Sequence, residues 1–214
     1  MKELSTNYRT LHNKLLDITL KHGLSHLSSC LSTLPILVQI YETKMPGDIV
    51  ILSNGHAGLA QYVCMEHFEN NDAQALLEKH GIHPTRDKNI FCSTGSLGLG
   101  LPVAIGAAMA DANRQVHCII SDGECCEGSI WESLYFLSKN KINNLHIYVN
   151  ANGISAYTFI DITRLEQIIN AFGIDNVDFW DTSVILKSFD LLATKGIESH
   201  YIKLDEQTIQ QLRL

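Results

Sequence analysis

The sequence predicts an α/β fold of three layers, α/β/α, around a mostly parallel central sheet. Three observations lead there. Short apolar runs of β character alternate with longer stretches of helical period. Hydrophobic residues make up 45% of the 214 and charged residues 18%, a composition that folds, in a chain long enough for a sizeable core. No internal repeat, low-complexity tract or linker interrupts it, so residues 1–214 are expected to form a single domain.

The elements follow in order. Residues 5–22 set Leu11, Leu15, Leu16, Ile18 and Leu20 at helical spacing, and Gly23 stops that helix. "STLPILVQIYETK" is a second helix with Pro35 in its first turn. "DIVILS" is a short apolar strand between Gly47 and Asn54-Gly55. "HAGLAQYVCMEHFE" and "AQALLEKH" are helical, and "LGLPVAIGAAMADA" is an apolar helix of small residues suited to close packing. "QVHCIIS" and "LHIYVNA" are strands joined by the helix "EGSIWESLYFLSKN". After Asn152 come "ISAYTFI", a helix near 164–171, a short "VDFWD", a helix near 182–194 and a last strand, "SHYIKL".

Charge and composition exclude several classes. A formal charge of −7 argues against nucleic acid as a partner. No apolar run reaches membrane-spanning length and "MKELSTNYRTLHNKL" has no signal-peptide pattern, so no membrane partner is expected and the expected compartment is the cytoplasm. Cys30, Cys64, Cys92, Cys118, Cys125 and Cys126 form no C-x-x-C pair, which argues against zinc and for reduced, mostly buried thiols. His12, His22, His67 and His117 match no motif, and His80 suits the end of its helix, where a cation opposes the dipole. Trp131 and Tyr135, four apart on one helix, are expected in core or interface.

Ligands of open parallel sheets sit beyond the carboxyl ends of the strands. Asp122 follows one strand and Asn152 the next, thirty positions and one strand-helix-strand unit later, so both belong at the same sheet edge. A carboxylate, an amide oxygen and a backbone carbonyl make a hard oxygen set that suits magnesium or calcium bridging to phosphate. Gly123 lets backbone come close to a ligand. Asp-Gly and Asn-Gly are also common strand-ending turns, and spacing alone leaves both readings open.

Five segments in order carry a resemblance: "LSHLSSCLSTLPIL" (24–37), "LSNGHAG" (52–58), "GIHPT" (81–85), "STGSLGLGLPVAIGAAMA" (93–110) and "SDGECCEGSIWESLYFLSKNKINNLHIYVNANGI" (121–154). Together they resemble the diphosphate-binding domain of the transketolase family, whose thiamine-diphosphate motif runs from Gly-Asp-Gly to Asn-Gly. The resemblance implies that Asp122, Asn152 and the main-chain carbonyl of Ile154 ligate Mg2+ (or Ca2+). Gly123 and His56 would serve the diphosphate, Gly95, Ser96 and Leu97 the loop touching the cofactor, and Asn152 both metal and cofactor. His26 and His83 would line the substrate channel, bond sugar hydroxyls and shuttle protons. Glu127 and Glu132 would lie near the partner domain, with Glu127 a catalytic candidate.

This family activates its cofactor with a glutamate from a second, pyrimidine-binding domain. Nothing in the 214 residues resembles that domain, so the chain resembles the N-terminal subunit of a split enzyme. The implied partner is a separate C-terminal transketolase-like chain in a heterotetramer, and the implied substrates are sugars or sugar phosphates. Two readings stay open beside it: one of the chains of another split thiamine enzyme, of the 2-oxo acid dehydrogenase or decarboxylase type, and a non-catalytic scaffold of the same fold. Ser121 stands where the family has the first glycine of Gly-Asp-Gly, and Ser96 stands where it has proline. From about residue 156 the chain is short and atypical, keeping little of the family pattern beyond "TKG", which predicts a more open pocket on that side.

Overall fold

A computed structural model describes residues 6–187, 198 and 201–214. Four strands, β1 (Ile49–Leu52), β2 (Val116–Ser121), β3 (Leu145–Ala151) and β4 (Val177–Asp181), form one sheet in the order β1-β2-β3-β4. Every neighbouring pair is parallel. The period of two along the strands sends side chains to two separate cores. Leu52, Ile119 and Tyr148 face α1 (Thr6–His22), α2 (Leu27–Thr43), α3 (Gly58–Glu69) and α4 (Ala73–His80). Ile51, Cys118, Ile120, Ile147 and Val149 face α5 (Gly100–Ala110), α6 (Gly128–Lys139) and α7 (Ile162–Asn170). Helices thus cover both faces, as the alternation predicts. β2 is buried along its whole length, the pattern of a central strand, whereas β4 is half-buried or exposed throughout. All six cysteines are free; Cys126 is exposed and Cys92 half-buried.

Two elements differ from the sequence reading. α2 begins at Leu27, so Pro35 is its ninth residue instead of lying in its first turn. All residues from Leu27 to Val38 are buried, and a buried backbone must pair within itself. The helix therefore runs through the proline and forgoes one hydrogen bond there. At the other end of the chain, α8 (Ser183–Lys187) matches the start of the helix expected near 182–194; residues 188–194, like "TKG" at 194–196, lie outside the described residues. The expected last strand "SHYIKL" is not formed where it is described: Tyr201–Leu204 are turn and irregular chain, and Ser199 and His200 lie outside. A helix follows that the pattern had not suggested, α9 (Glu206–Gln211), capped by the Asp205 side chain on Thr208 N. Ile209 and Leu212 bury against the α1–α4 core, and His12 Nε2 bonds Leu212 O at 2.8 Å, which ties the end of the chain to α1.

Candidate active site

The parallel register pairs Ser121 with Asn150, so the turns after β2 and β3 emerge together. Asp122 N donates to Asn150 O at 3.0 Å. The Asp122 carboxylate then joins the two turns: Oδ1 accepts from Gly123 N at 2.9 Å and Oδ2 from Gly153 N at 2.6 Å. It is fully buried. Burial pushes its carboxyl up to about 7, although these backbone N–H donors pull the other way. Asn152, also buried, accepts from Ile154 N through Oδ1 at 2.9 Å and donates from Nδ2 to Ser32 Oγ at 3.3 Å.

Two neighbouring hydroxyls of α2 organise the floor. Ser32 Oγ accepts from Asn150 as well as Asn152, and Thr33 Oγ1 accepts from Asn150 and, at 3.0 Å, from Asn54. Asn54 is 1% exposed, and among the described residues its Oδ1 has no hydrogen-bond partner. Asn54 also lines the cleft, and an orphaned buried acceptor there signals a donor from outside the chain.

The cleft above this floor gathers His26, His56, His83, Gly95, Leu97, Asp122, Gly123, Asn152 and Ile154. These are nine of the residues that the sequence pointed to, drawn from five separate segments. Ser96, Glu127 and Glu132 are not among its lining residues; Ser96 and Glu132 are exposed and Glu127 is half-buried at the start of α6. His26 precedes α2 with φ 62°, a left-handed backbone, and Ser25 Oγ lies 2.9 Å from its Nδ1. Its ring stands 5.4 Å from that of His56. Gly95 has φ 123°, and a Cβ there would meet His83 Cδ2 at 2.7 Å, so glycine is needed on both counts. Trp131 donates from Nε1 to Cys125 O at 2.8 Å and stacks on Phe172, whereas Tyr135 is 62% exposed, so the pair does not share one environment.

Sequence reasoning missed Asn54, Asn150 and Ser32, whose roles depend on contacts between distant segments, and Glu124, which lies inside the quoted motif. It also missed Tyr201. That residue comes from the atypical C-terminal part, lines the cleft and packs edge-on against His26 at 5.5 Å, so this side is partly walled.

The residues fit a hard divalent cation with a phosphate ligand. Asp122 is a buried carboxylate bonded to backbone N–H groups, and among the described residues no lysine or arginine pairs with it. Among the same residues no group of three or more His, Cys, Asp or Glu gathers as a softer metal would require. No described helix is long and apolar enough to cross a membrane.

Comparison with known proteins agrees with this placement. A family described as thiamine pyrophosphate enzyme, C-terminal TPP binding domain, matches residues 72–158. One of the two chains of the apulose-4-phosphate transketolase of Phocaeicola vulgatus is 31% identical over 189 positions, covering 76% of this chain and 66% of that protein. The 6-deoxy-6-sulfo-D-fructose transketolase subunit SqwG of a Clostridium species is 29% identical, covering 79% of this chain and 72% of that one. Human transketolase is 29% identical over 92% of this chain, which spans only 39% of the human protein. The solved transketolase of Campylobacter jejuni superposes with a TM-score of 0.68 at 21% identity, over 81% of this chain and 32% of that one, which shows the fold.

Proposed function

The chain belongs to the transketolase family of thiamine-diphosphate enzymes, and from that premise we propose that it is the diphosphate-binding subunit of a split transketolase. With a second chain carrying the pyrimidine-binding domain, it moves a two-carbon ketol unit from a ketose or its phosphate to an aldose or its phosphate. The observation that carries the reading is the Asp122 carboxylate, buried where the ends of β2 and β3 meet and facing a cleft that also holds His26, His56 and His83.

Asp122, Asn152 and the Ile154 carbonyl hold Mg2+ (or Ca2+), which neutralises the diphosphate. Gly95, Ser96 and Leu97 shape the loop against the cofactor, Gly123 allows backbone to approach the diphosphate, and His56 faces its charged end. When bound, thiamine diphosphate supplies the carbanion chemistry of ketol transfer. His26 and His83 bond substrate hydroxyls and move protons as the carbonyl is attacked and released. The His26–His56 proximity supports a division in which one ring faces the substrate and the other the phosphates. Glu127 and Glu132 lie toward the partner. The names of the two split relatives, one for a sulfosugar and one for a sugar phosphate, support a ketose class without singling out one sugar.

On this reading residues 1–214 form one diphosphate-binding domain, working in the cytoplasm within a heterotetramer, the closed two-fold solution common among assemblies. Exposed apolar side chains support a protein partner: Met109 and Val103 on α5, and Tyr135 and Phe136 on α6. The test pairs light scattering with a turnover assay, on this chain with thiamine diphosphate and magnesium, with and without the pyrimidine-binding chain. Ketol transfer is expected only from the mixture, together with a rise in mass. Full turnover by this chain alone overturns the split-enzyme reading.

A further inference from the structure

Glu124 is fully buried, and among the described residues no lysine or arginine pairs with it. Four donors meet its two oxygens instead. Oε1 accepts from Ser53 Oγ at 2.5 Å and from Gly98 N at 2.9 Å. Oε2 accepts from Ser121 N at 3.0 Å and from Ser121 Oγ at 3.4 Å. Ser53 Oγ in turn accepts from Gly100 N at 3.1 Å, so its proton goes to Glu124 and its lone pair to the loop. One carboxylate therefore joins three segments: the end of β1 at Ser53, the end of β2 at Ser121, and the loop of residues 94–100.

That loop has little else to fix it from this side. Its other polar ties are Thr94 N to Pro84 O at 3.0 Å and Ser129 Oγ to Gly98 O at 2.9 Å. It also has no slack. A Cβ on Gly98 would collide with Ser129 and Glu127, and one on Gly100 with Ser53. Backbone packed this closely has one acceptable position, and Glu124 supplies the charge-assisted bonds that select it.

We propose that Glu124 is the positioning residue of this site: it sets the 94–100 loop, and with it Gly95 and Leu97, at a fixed height above Asp122. It touches no ligand itself. The inference rests on the reading that this loop meets the cofactor, but the clamp exists in the unliganded chain and is testable there. Glu124→Gln keeps one acceptor oxygen for Gly98 and loses the second, whereas Glu124→Ala loses both and leaves Gly98 N buried without a partner.

The experiment is amide hydrogen exchange on the full chain without cofactor, followed by calorimetric titration with thiamine diphosphate and magnesium. In Glu124→Ala the Gly98 and Gly100 amides are expected to exchange about tenfold faster or more, while the amides of β2 and β3 keep their protection. Glu124→Gln is expected to recover Gly98 protection in part, a rescue that a general loss of packing does not produce. Cofactor affinity is expected to fall in the same order, about tenfold or more for the alanine variant. Unchanged Gly98 protection in Glu124→Ala overturns the clamp. If that variant does not fold, Ser53→Ala decides the matter: Gly100 alone is expected to lose protection, and no change at Gly100 overturns the relay. A wild-type chain that binds no thiamine diphosphate overturns the functional reading, while the exchange result still decides the role of Glu124.

Discussion

The sheet buries ionisable side chains at both ends and treats them differently. At the amino ends of β2 and β3, the rings of His117 and His146 stack 5.2 Å apart. His117 Nδ1 lies 3.1 Å from Tyr148 Oη, its Nε2 stands 3.8 Å from the Asp48 carboxylate, and His146 Nε2 lies 2.9 Å from Gln115 Oε1. At the carboxyl ends, Asp122 and Glu124 are two buried carboxylates, met by backbone N–H groups and serine hydroxyls without a cation among the described residues. The amino end brings complementary groups together, whereas the carboxyl end concentrates one sign of charge beside an unpartnered amide oxygen. Buried charge by itself does not mark a site; buried charge whose partner is missing from the chain does.

The largest expected effect breaks the comparison at the carboxyl end. Asp122→Ala removes the only charged ligand proposed for the metal. Cofactor affinity in the presence of magnesium is expected to fall by several kcal/mol, read by calorimetric titration. Asn152→Ala loses less, since a neutral amide oxygen is replaced by water more easily. His117→Phe, at the other end, is expected to leave that affinity unchanged. Equal losses from Asp122→Ala and His117→Phe would mean that the two ends do not differ in function.

Next come the cleft histidines, whose removal should be felt in turnover. The left-handed backbone at His26 favours asparagine as its replacement, because asparagine tolerates φ 62° better than alanine does. His26→Asn and His83→Ala in the assembled enzyme are expected to lose about 100-fold or more in kcat with cofactor affinity nearly intact. His56→Ala is expected to weaken cofactor binding instead. If all three lose cofactor affinity equally, the proposed division between substrate and phosphate contacts fails.

Much of the carboxyl end was legible because motif and topology agree. The strands "QVHCIIS" and "LHIYVNA" lie within a residue of the observed β2 and β3, and their parallel pairing is enough to place Asp122 beside Asn152. Gly95 and Gly123 were legible as glycines near a ligand. What stayed hidden was anything requiring two distant segments to meet. Asn54, Asn150 and Asn152 look like ordinary turn and strand residues until the hydroxyls of Ser32 and Thr33 come under them. Glu124 looked like spacer within the motif because its partners lie 71 and 26 residues away. The second half of the chain was least legible. Ile202 and Leu204 suggested a strand, yet Tyr201–Leu204 run irregularly toward α9, whose burial against α1 outweighs a further strand at the β4 edge. Pro35 misled for the opposite reason: burial of α2 outweighs the local preference of one residue.

The smallest effect sharpens the comparison at the amino end, and its sign follows from what surrounds His117. Burial on β2 lowers its imidazole below the ordinary 6.5, and the charge of His146 on β3 lowers it further. Asp48, just before β1, acts in the opposite direction by charge and hydrogen bond, and Lys44, just after α2, lowers it again by charge. Tyr148 on β3 contributes a neutral hydroxyl. A folded-state value below the unfolded one means that the unfolded chain binds more protons in the interval between them. Stability therefore rises with pH across that interval: the contribution of neutral His117 is fully present above 6.5 and is lost as pH falls toward the folded value. His117→Phe keeps a ring against His146 and removes the titration. Urea unfolding of both proteins at about pH 7.5 and about pH 5.5 is expected to show the smaller acid loss in the variant. His12, also buried and lowered, titrates in both proteins and cancels in the difference. An equal acid loss in the two proteins would show that Asp48 offsets the burial of His117 completely, making the amino end insensitive to pH in this range.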